Sequence, residues 1–273
     1  MGTGIEQAER QAPQTRRRPS LRADDVRIAA IDIGSNSIRQ IIADVSAGGE
    51  IRIVDEMKAA PRLGEGVVET GRIGDAAMRN ALDSLVRMAL LSRQMGAARI
   101  EAVATSAVRD ADNRDEFLEA VRQTTGLHVR VLSGDEEALL SYRSALAHFD
   151  LGVGRAVVMD IGGGSLELSL SADGLLDALM SFPFGVIRLT EQFLGDNPGR
   201  AELRDLRRAV RRGLRDSVSR RDWHGSQLIG SGGTFTNLAG MILARHGMGR
   251  ARSVHGTVVP RAELEHVLDM LQG

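Results

Sequence analysis

The chain has no cysteine, only one lysine (Lys58), and an aromatic content of just 3 %. Without cysteine it has no disulfide, thiolate metal ligand or thiol nucleophile, which agrees with a reducing compartment, and we expect a cytoplasmic protein. No apolar run approaches the roughly 20 residues that cross a bilayer, so no membrane partner is expected. The net charge of −1 gives no general attraction to nucleic acid, so no DNA partner is expected.

The chain is long enough and has enough hydrophobic residues to form a buried core. The chain has 273 residues, and 42 % of them are hydrophobic, which allows two domains or one large one. With so few aromatic residues, the cores must consist of aliphatic side chains and methionine. Residues 1–24 contain the basic run Arg16 to Arg18 but no apolar stretch after it, so they predict a disordered leader and not an export signal.

One short phrase occurs twice. Residues 31–37 read Ile-Asp-Ile-Gly-Ser-Asn-Ser, and residues 159–165 read Met-Asp-Ile-Gly-Gly-Gly-Ser. An offset of 128 aligns Asp32 with Asp160, and each phrase follows an apolar run and precedes an alternating one. This pattern predicts a strand, a tight glycine turn and a second strand, repeated in two related halves.

Glycine turns of this kind can bind phosphate through exposed backbone N–H groups. An aspartate at the same turn would repel phosphate unless a cation lay between them, so Asp32 and Asp160 predict Mg²⁺ and a phosphate between the two turns. The alternative is a pair of ordinary hairpins whose aspartates form local turn bonds. A Walker A loop is excluded because Lys58 is far from both turns, and a dinucleotide fingerprint is excluded because a strand follows, not a helix.

The rest of the pattern predicts two α/β halves around a cleft, 25–150 and 151–273, with a boundary at 148–154. Helices are expected at 76–95, 115–124, 133–146, 235–245 and 261–271, with Ser133 as N-cap and Glu136 at capping-box spacing. A third glycine turn at 230–233 lies between a strand and a helix, where anions are favoured.

These motifs resemble the exopolyphosphatase and guanosine pentaphosphate phosphatase family, which belongs to the actin, Hsp70 and sugar kinase superfamily. The resemblance implies two related ribonuclease H-like domains with an interdomain cleft. Members continue beyond the position of Gly273, so the second domain is expected to be incomplete. Leu166 replaces a threonine that members usually carry, so any phosphate contact by that hydroxyl is absent. The segments that carry the resemblance are 30–37, 105–109, 133–138, 160–168, 185–190, 230–234 and 255–256.

The resemblance also implies roles for individual residues. Glu137 is the expected general base: the helix dipole would lower its pKa, nearby phosphate would raise it, and Glu136 already serves as the cap. Arg109 and Glu167 complete the catalytic set, and Asp160, Glu167 and Asp32 are the expected ligands of Mg²⁺ or Mn²⁺. The expected phosphate-binding residues lie on or beside the three turns: Gly34, Ser35, Asn36, Ser37, Arg39, Gly162, Gly163, Gly164, Ser165, Gly232, Gly233 and Thr234.

The implied activity is hydrolysis that releases terminal phosphate from inorganic polyphosphate, guanosine pentaphosphate or both, by metal-assisted attack of water. The alternatives are a phosphotransferase of the same fold and a non-catalytic sensor of guanosine phosphates. A row of arginines on one helix face, 204–215, suits a polyphosphate track or ordinary solvated charge. The apolar face of the 261–271 helix favours marginal stability or a homodimer.

Overall fold

The computed structural model describes residues 24–195, 198–219, 223–248 and 253–272. The predicted leader, 1–24, lies outside these ranges except for its last residue. Of the helices in the described ranges, none combines the length and apolar character that a membrane-spanning segment needs.

The first sheet contains five strands in the order β3-β2-β1-β4-β5. The first three form an antiparallel meander, while β4 runs parallel to β1 and β5 parallel to β4. The strands are β1 (Val26–Ile33), β2 (Ile38–Val45), β3 (Ile51–Ala59), β4 (Arg99–Ala104) and β5 (Val129–Val131).

The second sheet repeats this order over its four described strands, β8-β7-β6-β9, again with an antiparallel meander and one parallel neighbour. The hairpin of β6 and β7 matches that of β1 and β2, so the internal repeat predicted from the two phrases is confirmed in the topology. The strands are β6 (Arg155–Ile161), β7 (Leu166–Ala172), β8 (Leu175–Phe182) and β9 (Gln227–Ser231).

Helices cover and connect the two sheets, and those predicted from sequence are found within a few residues of the expected bounds. Ser133 and Glu136 form the predicted capping box at the start of α5. The helices are α1 (Val67–Thr70), α2 (Asp75–Gln94), α3 (Ser106–Asp110), α4 (Arg114–Thr125), α5 (Gly134–Leu146), α6 (Val186–Phe193), α7 (Arg200–Ser217), α8 (Gly232–Arg245) and α9 (Arg261–Gln272).

Helix α5 packs on the second sheet and not on the first. Tyr142 and Ala145 share an apolar cluster with Ala156, Val158 and Ile229, all from the second sheet. The chain therefore changes sheet between β5 and α5, before the boundary that the sequence predicted at 148–154. We propose that α5 belongs with the second domain.

Strand β7 is buried on both faces. Its alternation places Leu166 and Leu168 in an apolar cluster with Phe182, while its polar residues face α5. Ser169 donates a hydrogen bond from Oγ to the carbonyl of Ala138 in that helix (2.8 Å). Leu166 thus packs in the core on the face opposite Glu167.

Helix α9 exposes part of its apolar surface. Val267 is fully buried, whereas Leu264, Leu268 and Leu271 are 40 %, 49 % and 63 % exposed. This surface suits the predicted homodimer, which stays a prediction.

Candidate active site

Both hairpin turns have the same geometry. The Gly34 N–H donates to the carbonyl of Ser37 (3.1 Å), and the Gly162 N–H donates to the carbonyl of Ser165 (3.0 Å). Each turn leaves an aspartate near the end of the preceding strand, and the residue opposite it differs. Asp32 lies across from Arg39 in the first hairpin, whereas Asp160 lies across from Glu167 in the second.

The tips of the two turns are in contact. Ser35 Oγ and Ser106 Oγ lie 2.9 Å apart in a buried pair, and Gly164 packs against both hydroxyls. A Cβ at Gly164 would lie 2.5 Å from Ser106 Oγ, and one at Gly163 would lie 3.0 Å from Ser35 Cβ. The tips therefore leave no gap for a phosphate between Ser35 and Gly164.

The third turn supports Asp160. Gly232 has a φ of 85°, and a Cβ at this position would lie 2.4 Å from Asp160 Oδ1. Asp160 Oδ2 accepts hydrogen bonds from Ser141 Oγ (2.8 Å) and Ser231 Oγ (2.9 Å). Thr234 donates to the last carbonyl of β6 (3.4 Å). The start of α8 thus holds a site carboxylate, and the two serines had no signal in the sequence that would identify this role.

Glu137 is paired with Arg109. Arg109 Nη1 donates to Glu137 Oε2 (3.1 Å) and to the carbonyl of Leu132 (3.0 Å). The two side chains are only 23 % and 19 % exposed, respectively. Arg109 comes from α3 beside the first sheet and Glu137 from α5 on the second, so the pair spans the two halves.

The pKa of Glu137 is raised to about 7. Burial is the main cause and the charge of Glu167 adds to it, while the hydrogen bond and charge of Arg109 act in the opposite direction. From the sequence we expected nearby phosphate to raise the pKa of Glu137. The structure shows that burial and a second carboxylate raise this pKa before any phosphate binds.

The pKa values of two further carboxyls are raised, in each case mainly by burial. Glu167 is 2 % exposed, hydrogen bonds from Ser165 and Ser181 oppose the rise, and the charge of Asp160 adds to it. The Ser181 Oγ donates to Glu167 Oε1 at 3.0 Å. Asp32 has a solvent-exposed side, but surrounding protein still raises its pKa, and the charge of Asp160 again adds to the rise.

The remaining predicted residues lie at the margin of this cluster. Asn36, Arg39 and Gly233 are exposed, and the charge of Arg39 partly opposes the rise in the pKa of Asp32. Glu136 caps α5 and pairs with Arg130, so it is engaged elsewhere. The carboxylates of Asp32, Glu137, Asp160 and Glu167 influence one another electrostatically. Their roles in catalysis and metal binding stay predictions.

The carboxylates do not form a closed metal cage. Within the described ranges, no group of three or more histidine, aspartate or glutamate side chains is arranged to hold a metal ion. A cavity of about 640 Å³ opens elsewhere, on α7, and is lined by arginines and Asp216. It contains none of the predicted catalytic residues, so we place the candidate active site at the carboxylates and not at this cavity.

Comparison with known proteins agrees with this geometry. The chain is 36 % identical over 183 residues to Exopolyphosphatase 1 of Mycobacterium leprae, which covers 67 % of this chain and 54 % of that protein. It is also 36 % identical over 262 residues to Exopolyphosphatase 2 of Mycobacterium tuberculosis, covering 90 % and 80 %. The chain therefore spans about half the length of the first relative and four-fifths of the second.

Solved structures show the same fold. The Aquifex aeolicus member of the Ppx/GppA protein family superimposes with a TM-score of 0.73 at 29 % identity, covering 91 % of this chain and 79 % of that one. An exopolyphosphatase from Cytophaga hutchinsonii gives a TM-score of 0.75 at 24 % identity, covering 90 % and 80 %. The predicted fold of two related α/β units is confirmed. A family model described as the Ppx/GppA phosphatase family matches residues 41–273, and the chain belongs to that family.

Proposed function

We propose that the protein is a phosphoanhydride hydrolase that releases terminal phosphate from inorganic polyphosphate, guanosine pentaphosphate or both. The observation that carries this proposal is the Glu137–Arg109 pair, held beside Asp160 and Glu167 at the base of two matched glycine turns. The names of the curated relatives, which are exopolyphosphatases, support it.

In this proposal Glu137 is the general base. With a pKa of about 7, it is partly ionised at neutral pH and still basic enough to accept a proton from water. Its position on the first turn of α5, next to the capping residue Glu136, keeps its backbone rigid. Glu137 would orient a water in line with the terminal phosphorus and take up the proton as the phosphoanhydride bond breaks.

Arg109 and the turns would stabilise the phosphoryl group. The guanidinium of Arg109 can offset charge on the transferred group, because it already lies at hydrogen-bond distance from the base. Phosphoryl transfer requires little covalent chemistry from the protein, so positioning and charge neutralisation dominate. Backbone N–H groups of residues 163–165, and of 232–234 at the start of α8, would bind the other phosphate oxygens.

The residues present fit Mg²⁺ or Mn²⁺ as a cofactor. All the donors are carboxylate oxygens, and Mg²⁺ commonly takes only one or two carboxylates together with phosphate oxygens and water. Gly232 allows the third turn to pack closely against Asp160, since a Cβ there would lie 2.4 Å from Oδ1. Asp160 would hold the ion together with Glu167 or Asp32, and water and phosphate oxygens would complete the ligand set. The charge of the ion would offset the repulsion between carboxylates and phosphate.

Helix α7 favours polyphosphate over the shorter nucleotide. It carries seven arginines against three acidic residues, and all seven arginines are exposed. Its other side is anchored: Leu214 packs in the apolar cluster of the second sheet, and a Cβ at Gly213 would lie 2.5 Å from the Phe184 ring. The helix is therefore fixed on one side and exposes its arginines on the other, where a long polyanion could bind them.

The arginines lie together in space although acids alternate with them in sequence. At 100° per residue, all seven fall within one sector of the helix, and the three acids fall outside it. Arg208 pairs with Asp205 (3.2 Å), but within the described ranges Arg204, Arg211 and Arg215 have no acidic partner. Arginine forks bind phosphate oxygens well, and no aromatic side chain on α7 offers the stacking that nucleic acid binders use.

The function is tested by measuring phosphate release from long-chain polyphosphate, guanosine pentaphosphate and ATP, with Mg²⁺ and with excess chelator. We expect Mg²⁺-dependent release without any added acceptor. A requirement for an acceptor would identify a phosphotransferase, and tight binding without release in full Mg²⁺ would identify a sensor. Full activity in chelator, or in Asp160→Ala, would contradict the metal assignment.

The role of α7 is tested with the triple variant Arg204→Gln, Arg211→Gln, Arg215→Gln. Its KM for long polyphosphate should rise several-fold at low salt, and the rise should shrink as salt screens the charges. Its KM for guanosine pentaphosphate should stay within about twofold. Arg79→Gln, Arg87→Gln, Arg143→Gln is the matched control, because it removes the same charge from exposed helical positions. Equal effects of the two triple variants would contradict the assignment.

A further inference from the structure

Arg188, on the first turn of α6, contacts both halves of the molecule. Its Nε donates to the carbonyl of Gly164 in the second glycine turn (3.1 Å), and its Nη2 forms an ion pair with Asp110 of α3. Arg188 is 21 % exposed on its side chain and Asp110 is 36 % exposed. One guanidinium therefore connects the phosphate-binding turn of the second sheet to a helix beside the first.

Asp110 is shared between two arginines. Its Oδ2 pairs with Arg188, and its Oδ1 lies 3.5 Å from Nε of Arg109. The far end of Arg109 donates to Glu137 at 3.1 Å. A continuous chain of contacts thus runs from the Gly164 carbonyl through Arg188, Asp110 and Arg109 to the proposed base. Both guanidiniums are planar and rigid, so each fixes a direction as well as a distance.

The backbone at the start of α6 packs tightly against the second glycine turn. Gly185, the residue before α6, lies directly on the second turn: a Cβ there would lie 2.3 Å from the backbone of Gly164. The first amide groups of α6 bond to the same turn, Val186 to Gly162 (3.0 Å) and Ile187 to Gly163 (2.8 Å). Arg188 and the second turn would therefore move together, because no loose loop lies between them.

Stability alone does not account for this arrangement. Partly exposed ion pairs typically contribute about 0–1 kcal/mol, because solvent screens them and ordering the side chains costs entropy. Positioning can matter far more, since displacing a reacting group by about 1 Å can cost roughly 100-fold in rate. The sequence contains Arg188 within a family-like segment but offers no sign of its partner, because Asp110 is 78 residues away.

We propose that Arg188 and Asp110 are positioning residues that align Arg109 and Glu137 with the phosphate held at the second turn. This inference rests on the proposed hydrolase function. Arg188 touches the carbonyl side of the turn, not the phosphate itself, so it acts through the turn and through Asp110. Without Arg188, Asp110 would compete with Glu137 for Arg109 and draw its guanidinium away from the reacting group.

The test compares Arg188→Gln with a matched variant on the same helix, Glu191→Ala. Glu191 also bridges the two halves, since its Oε1 accepts a hydrogen bond from the Gly66 N–H (2.8 Å), but it contacts none of the catalytic residues. Arg188→Gln should lower kcat by about 10-fold or more with KM changed less than threefold. Arg188→Lys, which keeps the charge beside Asp110, should recover part of the loss. Glu191→Ala should keep kcat within twofold.

Two outcomes would overturn the proposal. One is an equal loss of kcat in Arg188→Gln and Glu191→Ala, which would mean that both simply loosen α6. The other is full additivity of Arg188→Gln and Asp110→Asn, because residues of one network lose activity non-additively. A further readout needs no turnover: the NMR signal of the Arg109 Nε–H group should shift in Arg188→Gln and not in Glu191→Ala. This signal tests the network even if the protein hydrolyses none of the substrates.

Discussion

The two hairpins differ where their charges lie. In the first, Asp32 faces Arg39 across the strands, and the positive charge of Arg39 partly opposes the rise in the pKa of Asp32. In the second, Asp160 faces Glu167, so two carboxylates lie side by side and Glu167 is 2 % exposed. The same scaffold thus balances charge in one half and concentrates negative charge in the other. The proposed roles in metal and proton binding therefore depend more on the second hairpin than on the first.

The two equivalent strands β2 and β7 also differ in how they are covered. The first half of β2 alternates in burial, with Arg39 and Ile41 exposed on one face, whereas residues 42–44 are all buried. In β7 both faces are buried, because α5 packs on the polar face and brings Glu137 towards Glu167. An alternating pattern therefore does not reveal whether its polar face meets solvent or a catalytic helix.

The largest expected effect is on kcat and follows from replacing Glu137, the proposed general base on α5. Glu137→Gln keeps size and hydrogen-bonding reach but cannot accept a proton from water. General-base catalysis typically contributes on the order of 10²–10⁴-fold, so kcat should fall by about that factor while substrate binding stays near wild type. Steady-state kinetics on polyphosphate measure this. Glu136→Gln is the control and should cost much less, because an amide still caps α5. Equal losses in the two variants would show that the base is misassigned.

The second prediction makes the second turn a copy of the first. Gly163→Ser with Gly164→Asn introduces side chains where the turn meets Ser35 and Ser106, and a Cβ at Gly164 would lie 2.5 Å from a hydroxyl. We expect the turns to separate, with a loss of at least about 10-fold in kcat/KM and about 1–3 kcal/mol in the free energy of unfolding.

Gly48→Ser is the control for this turn variant, because the nearest atom to its Cβ would be Ser46 Oγ at 3.8 Å. Kinetics and denaturant unfolding of both proteins measure the difference. If the turn variant keeps wild-type activity, close contact of the two tips is not needed for catalysis.

The third prediction removes the charge that distinguishes the second hairpin. Glu167→Gln eliminates a negative charge beside Glu137, so the pKa of Glu137 should fall from about 7 by on the order of one unit. The acid limb of the pH profile of kcat/KM should therefore move to lower pH, whatever happens to the maximal rate. A limb that stays in place, or moves to higher pH, would rule out Glu167 as a cause of the raised pKa.

The smallest effect concerns stability. Because the folded-state pKa of Glu137, about 7, exceeds its unfolded value of about 4.5, the native state binds the extra proton. Stability should thus fall as pH rises through this window, by at most roughly 3 kcal/mol from this group. Glu137→Gln should be more stable than wild type at pH 8 and equal to it near pH 4.5. Denaturant unfolding at both pH values measures this, and a variant that is less stable at pH 8 would contradict it.

Much of the local structure could be predicted because its causes lie within a few residues. The helix expected at 76–95 is found at Asp75–Gln94, since apolar side chains recur at helical spacing there. The capping box of Ser133 and Glu136 depends on positions three residues apart. Helix α3 was not predicted, because its five residues, Ser106–Asp110, are too few to show a period.

By itself, the sequence determined the two hairpins, the turns between them and the cap of α5, while the candidate base came from the family resemblance and stays a prediction. These depend on alternation, on glycine where backbone must pack closely, and on capping, all of which act locally. Only the tertiary structure decided that α5 covers the second sheet, that Glu137 lies near Glu167 with a pKa of about 7, and that Arg188 meets Asp110. Burial and charge depend on which surfaces pack together, and no spacing along the chain records that choice.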